Sequence, residues 1–305
     1  MSRTGQPPAA SDRRLAVRRI TIVGLACNLG LAGLKLAAGI VGSSAAVVAD
    51  AVHSLSDTVT DVAILVGVRY WYRPPDRDHP YGHGRIETLV TALIGLVLAA
   101  AALGLAYDAA RDLARGSLRT PGPVALAAAL VSIAVKEALY RATRATGRRV
   151  RSPALEANAW HHRTDALSSL PAALAVGAAL IDPSLSFLDS IGAIAVAALV
   201  LIAAWKITAP ALRQLADQGA DPGVRAEIER LAFDHPEVRE VHRVRTRLAG
   251  SSLLVDLHVL VDGELSVRQG HNIAAAVRAR LLEDGPGVVD VVVHVEPFDE
   301  HNSQG

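Results

Sequence analysis

Cysteine, methionine and aromatic residues are nearly missing from this chain. A single cysteine, Cys27, excludes an internal disulfide framework and any thiolate-rich metal cage. Methionine occurs once, at Met1, so no thioether cluster suited to Cu+ can form. Aromatics make up 4% of the 305 residues although 51% are apolar, so the hydrophobicity comes from Ala, Val, Leu and Ile. Charge is balanced as well: 31 Lys and Arg face 30 Asp and Glu, and a net charge of +1 excludes a chain built to coat nucleic acid. A mean hydropathy of +0.30 is high for a soluble chain of this length. The Arg-rich, Pro-containing first nineteen residues lack the short apolar core and small-residue cleavage site of a secretory leader, which predicts an arm that stays.

The apolar residues are gathered into runs. A hydrocarbon core about 30 Å thick needs roughly 20 of them as a helix. Six windows approach that length: Ile20–Val41, Ala45–Tyr72, Ile86–Ala106, Val124–Tyr140, Leu155–Ile181 and Phe187–Ile207. The expected organisation is a cytoplasmic arm (1–19), a six-helix transmembrane domain (20–209), a cytoplasmic domain (210–298) and a tail (299–305). Orientation follows from Lys and Arg in the short loops. Arginines crowd the arm (Arg13, Arg14, Arg18, Arg19), the loop after the second window (Arg73, Arg77, Arg85) and the loop after the fourth (Arg141, Arg144, Arg148, Arg149). The opposite side dissents only at Arg111, Arg115 and Arg119. A multi-pass protein of the cytoplasmic membrane, with both termini in the cytoplasm, is the prediction. After Ile207 the periodicity changes to helix–strand–strand–helix–strand, a small α+β domain. Leu253, Val255, Leu257, Val259 and Val261 alternate with polar residues, and Ser266 with Gln269 forms a capping box.

Two windows carry charge where lipid would reject it. "ADAVHSLSD" holds His53 and Asp57, and "ANAWHHRTDALSS" holds His161 and Asp165. Residues four apart stack on one helix face, about 6 Å along the axis. One such pair alone is more often an interhelical hydrogen bond than a ligand pair. Two matching pairs on separate spans can converge on a tetrahedral N2O2 site suited to Zn2+. Each bare carboxylate near the bilayer centre costs about 2.5–3.5 kcal/mol. Two aspartates, two neutral imidazoles and a dication sum to zero. Lys35 and Lys136, lone cations in spans, read as snorkelling or interface groups, and His162, about 100° from His161, as a packing residue.

Together with "HPYGHGRIETL", those two stretches resemble the signatures of the cation diffusion facilitator family, over nearly the whole chain from Ile20 to Pro297. The resemblance implies a six-span exporter of Zn2+ or another divalent metal, with a ferredoxin-like, metallochaperone-like α+β cytoplasmic domain and a homodimer in the lipid bilayer. It implies that His53, Asp57, His161 and Asp165 form the transport site. It places a loop site at Asp76, His79 and His83, a cytoplasmic site among His242, His258, His271, His294 and Glu296, and a charge interlock between Arg85 and Asp217.

Ligands must lose protons to bind metal, so the expected cycle is metal–proton antiport by alternating access. Imidazole ligands disfavour Mg2+ and Ca2+. Zn2+ fits best, with Fe2+, Mn2+, Co2+ and Cd2+ as alternative cargoes. A membrane-embedded zinc hydrolase would need an open coordination position and a general base as in H-E-x-x-H, which is absent. A passive metal channel would conduct without proton coupling.

Overall fold

The computed structural model describes residues 10–71, 73–117, 119–150, 152–250 and 252–298; the side chains of 10–14, 57, 60, 61, 64–66, 68, 69 and 154 lie outside that description. Residues 1–9 of the expected arm and the expected tail 299–305 are likewise outside the described residues. Two compact units emerge, Met1–Ile64 with Ile94–Lys206, and Leu65–Leu93 with Ile207–Gly305.

Among the described residues, seven helices precede the α+β domain: α1 (Ala10–Val41), α2 (Ala45–Trp71), α3 (Gly84–Arg115), α4 (Pro123–Val150), α5 (Pro153–Ser168), α6 (Leu170–Ile181) and α7 (Phe187–Leu215), with a 3-10 turn at Pro183–Leu185. Several run well past the apolar windows. α4 continues from Tyr140 to Val150, because arginine and alanine are good helix formers and no Pro interrupts them. Among the described residues, five spans are long and apolar enough to cross a membrane, with α5 and α6 counted as one (Leu155–Ile181). α2 has 27 residues, about 40 Å of helix, and completes six elements of spanning length. Its apolar described run, Ala45–Ser56, is shorter. The fifth window is corrected to two helices. Pro171 cannot donate to the carbonyl of Leu167, and the Ser169 N–H turns to that oxygen at the break.

In the first unit the core is built from small residues, among them Ala46, Ala49, Ala125, Ala129, Ala172 and Ala193. Without a hydrophobic drive between helices in lipid, small faces that let backbones approach supply the packing. Gly192 shows how close: a Cβ there would lie 2.8 Å from the Cβ of Ala175. Large apolar side chains point outward instead, including Leu96, Val97 and Leu103 along α3. That surface suits acyl chains. Asp189 of α7 caps the start of α2, accepting from Ser44 Oγ at 2.6 Å and from the Ala45 N–H at 2.7 Å.

The second unit contains α8 (Pro222–Phe233), β1 (Glu240–Ala249), β2 (Ser252–Asp262), α9 (Val267–Asp284) and β3 (Val288–Phe298). The sheet order is β1-β2-β3, antiparallel then parallel. Leu253, Val255, Leu257, Val259 and Val261 are buried as their alternation predicts, and they pack with Ile228 and Leu231 of α8 and Ile273, Val277 and Leu281 of α9. The Ser266–Gln269 capping box opens α9. Asp221 stands at the N-cap of α8 but makes no side-chain cap bond. The β1–β2 turn presses on the first turn of α3. Gly250 has φ +64°, and a Cβ on Gly84 would sit 2.3 Å from the Ala249 carbonyl oxygen. Gln214 stitches the two, donating to the Gly250 carbonyl at 2.5 Å and accepting from Thr88 Oγ1 at 2.6 Å.

Candidate transport and metal sites

On α5, His161 and Asp165 share a face, as their spacing requires, with His161 Nδ1 3.5 Å from Asp165 Oδ1. Asp165 is buried; the His161 ring is half exposed. On α2, His53 keeps a buried Nδ1 with no hydrogen-bond partner among the described residues. An imidazole nitrogen is a ligand type that divalent ions accept. The side chain of Asp57 lies outside the described residues.

Both mid-span lysines correct the snorkelling expectation. Lys35 of α1 is fully buried; its ammonium forms an ion pair with Asp50 Oδ2 at 2.8 Å and donates to Ser54 Oγ and Ser169 Oγ, each at 2.9 Å. Ser169 in turn donates to Asp50 Oδ1 at 3.0 Å. This clamp joins α1, α2 and the α5–α6 break. It lies one helical turn from each His/Asp pair, since Asp50 precedes His53 by three positions and Ser169 follows Asp165 by four. Lys136 of α4 is also buried and holds Asp165 Oδ2 at 2.7 Å. Neither lysine reaches an interface because a buried aspartate is nearer than water, and charges inside membranes pair with one another. His162 is buried as predicted for packing, its ring against Gly24 of α1 and both nitrogens without partners among the described residues.

In the loop after α2, Pro80 and Gly82 (φ +82°) make the turn their residue types predict. Asp76 Oδ1 accepts the N–H groups of Asp78 (3.0 Å) and His79 (2.7 Å), which orients its carboxylate toward both imidazoles. His79 Nδ1 and His83 Nε2 stand 3.4 and 3.3 Å from it, and the two rings lie 4.4 Å apart. The backbone bond from His79, aided by the nearby imidazoles, holds the Asp76 carboxyl below the usual carboxylate range. One ligand atom from each of the three fits within 4.8 Å, and His83 retains a buried, unpartnered Nδ1. The donor set fits a divalent ion that takes nitrogen and oxygen ligands.

A second cluster stands on the sheet face away from α8 and α9. His242 Nε2 and His258 Nδ1 each lie 2.8 Å from a Glu296 oxygen, and His294 Nε2 is 3.4 Å away. The hydrogen bond from His258, with that from His242, holds Glu296 below its ordinary 4.5. His242, His258 and Glu296 bring ligand atoms within 4.8 Å of one another. His271 stands exposed on α9, outside that group. A β-bulge positions His242: three steps on β1, from His242 to Arg245, oppose two on β2, from His258 to Asp256. The extra residue lets His242 face His258 while Val244 enters the core, and it sets Arg243 at φ +48°. Strict alternation would have placed 242 and 244 on one side. Arg85 and Asp217 meet as an exposed ion pair.

Membrane-length helices with ionisable groups between them, followed by a small α+β domain bearing an imidazole–carboxylate cluster, define a polytopic membrane protein with a C-terminal α+β domain. Residues 21–216 match the cation efflux transmembrane domain model, and residues 220–298 match that of the cation efflux protein cytoplasmic domain. The manganese efflux system protein MneP of Bacillus subtilis is 33% identical over 296 residues, covering 95% of this chain and 99% of its own. Magnetosome protein MamB of Magnetospira is 33% identical over 270 residues, 88% of this chain and 92% of its own. Metal tolerance protein C1 of Arabidopsis thaliana is 33% identical over 92% of this chain, which spans 62% of the plant protein's length. A solved nickel form of the MamM C-terminal domain covers 26% of this chain at 28% identity; its TM-score of 0.25 leaves the family models to carry the assignment. The chain belongs to the cation diffusion facilitator family and is a divalent-metal cation efflux transporter, not an enzyme. The hydrolase alternative falls with that assignment.

Proposed function

We propose that this transporter exports Zn2+ across the cytoplasmic membrane in exchange for protons, through a site of His53, Asp57, His161 and Asp165. The observation that carries the reading is the Lys35 clamp, which ties α2 to the α5–α6 break one turn from both His/Asp pairs. Two imidazoles and two carboxylates form a borderline set that zinc satisfies tetrahedrally. Protons compete for the same ligands, so a proton gradient can drive release. Mn2+ is the second reading, favoured by the likeness to the manganese efflux protein along both chains' full lengths; Fe2+, Co2+ and Cd2+ follow.

The remaining assignments belong to the same reading. Residues 20–209 form the membrane domain and 210–298 the cytoplasmic domain. Asp76, His79 and His83 bind metal beside the membrane. His242, His258 and Glu296, with His294 and His271 nearer or farther, bind it in the cytoplasmic domain. Arg85 and Asp217 interlock that domain with the α3 start, and the working form is a homodimer with both termini in the cytoplasm. Purified protein in liposomes tests it, with zinc and manganese uptake followed under an imposed pH gradient. Uptake of zinc that rises with the gradient and is lost in Asp165→Asn is expected. Transport indifferent to the gradient removes the antiport, and preference for manganese replaces the cargo.

A further inference from the structure

Lys136 holds Asp165 at 2.7 Å, is 1% exposed, and has no other partner among the described residues. Lys35, by contrast, is locked by three acceptors. One buried cation is therefore fixed, and the other is tethered by a single contact to a carboxylate assigned above to the metal. We propose that Lys136 is an internal counter-cation that competes with the transported metal for Asp165, setting both the affinity of the site and the ease of release. This rests on the reading that Asp165 is a transport ligand.

The physical reason is like-charge exclusion. A dication bound at about 2 Å to one Asp165 oxygen would stand within a few ångströms of an ammonium held by the other. Their repulsion in a poorly solvated interior is about twice that of two unit charges at the same distance. Metal binding and the Lys136 contact thus oppose each other, and that opposition is a negative coupling, typically about 5- to 150-fold. The resting carrier gains in return: with metal gone, the ammonium neutralises Asp165, so the site can pass between its two faces without a bare carboxylate in hydrocarbon. Metal affinity is lowered by the share of molecules in which Lys136 holds the carboxylate. A passive strap between α4 and α5 would produce the same contact but no such coupling.

Two substitutions of opposite sign test this on the full chain in detergent, with Zn2+ and Mn2+ titrated calorimetrically and transport assayed in liposomes. Lys136→Gln should tighten the isotherm component that Asp165→Asn removes by roughly tenfold or more and slow turnover. It should also lower the melting temperature without metal and enlarge the shift that metal produces. Lys136→Arg, whose planar fork grips a carboxylate through two bonds, should weaken binding several-fold. Affinities within twofold of wild type in both variants would overturn the proposal, leaving a structural strap. Should Lys136→Gln not be recovered folded, an unweakened Lys136→Arg overturns it alone. If Asp165→Asn removes no component, the transport-site reading itself has failed.

Discussion

Replacing Lys35 with methionine keeps the stem's volume and deletes only the charge, so it measures the clamp. The ammonium makes one ion pair and two hydroxyl bonds, at 2.8, 2.9 and 2.9 Å, with no water-facing surface on either Lys35 or Asp50 to soften the loss. In Lys35→Met, Asp50 keeps one donor, Ser169 Oγ at 3.0 Å. Stranding a buried charge costs about 3–5 kcal/mol in folded proteins. The lower figure is apt because Ser169 still donates. At about 1.5 °C per kcal/mol for a chain of 305 residues, the metal-free protein should melt about 5 °C lower. Fluorescence-detected size exclusion after heating reads this directly. The double variant Lys35→Met with Asp50→Leu removes both charges and should recover most of the loss, a coupling of at least about 1.5 kcal/mol. A single variant within about 1 °C of wild type refutes the argument. So does a double variant that falls by the sum of the two singles, because the pair would then not act as a unit.

Two further outcomes test the second unit. Glu296 is held below 4.5 chiefly by His258. With the folded value depressed, its ion pairing stabilises the domain above the unfolded-state value and is lost as pH falls through the folded one. Its carboxyl midpoint, followed by carbon NMR, should therefore lie below 4.5 and climb back toward it in His258→Ala; an unmoved midpoint would assign the depression elsewhere. Gly84→Ala should loosen the β1–β2 turn from α3, since the added methyl would meet the Ala249 carbonyl at 2.3 Å. Over-packing of this kind costs about 1–3 kcal/mol. Limited proteolysis near Gly250 should accelerate, and wild-type resistance would show that the turn yields freely.

What could be read from the sequence was local. The His/Asp pairs sit four residues apart on single helices, the β2 alternation repeats every second residue, and the Ser266–Gln269 box spans one turn. Each is a pattern whose cause lies within its own segment. What escaped was set by partners far along the chain. Lys35 and Ser169 are separated by 134 residues, and Lys136 meets Asp165 across a loop. A lysine in a span has the same sequence whether it snorkels or pairs, and only the neighbouring helix decides. The β1 bulge hid for a different reason. Arg243 adopts φ +48° without the glycine that usually marks such a conformation, so the alternation gave no warning of the slip that turns His242 toward His258. These misses share a consequence for the candidate site. The buried aspartates with described side chains are already held, Asp50 by Lys35, Asp165 by Lys136 and Asp189 by Ser44, whereas His53 keeps an unpartnered nitrogen. On the transport-site reading proposed above, an arriving dication must displace Lys136 to reach Asp165, whereas His53 Nδ1 meets no competing group among the described residues.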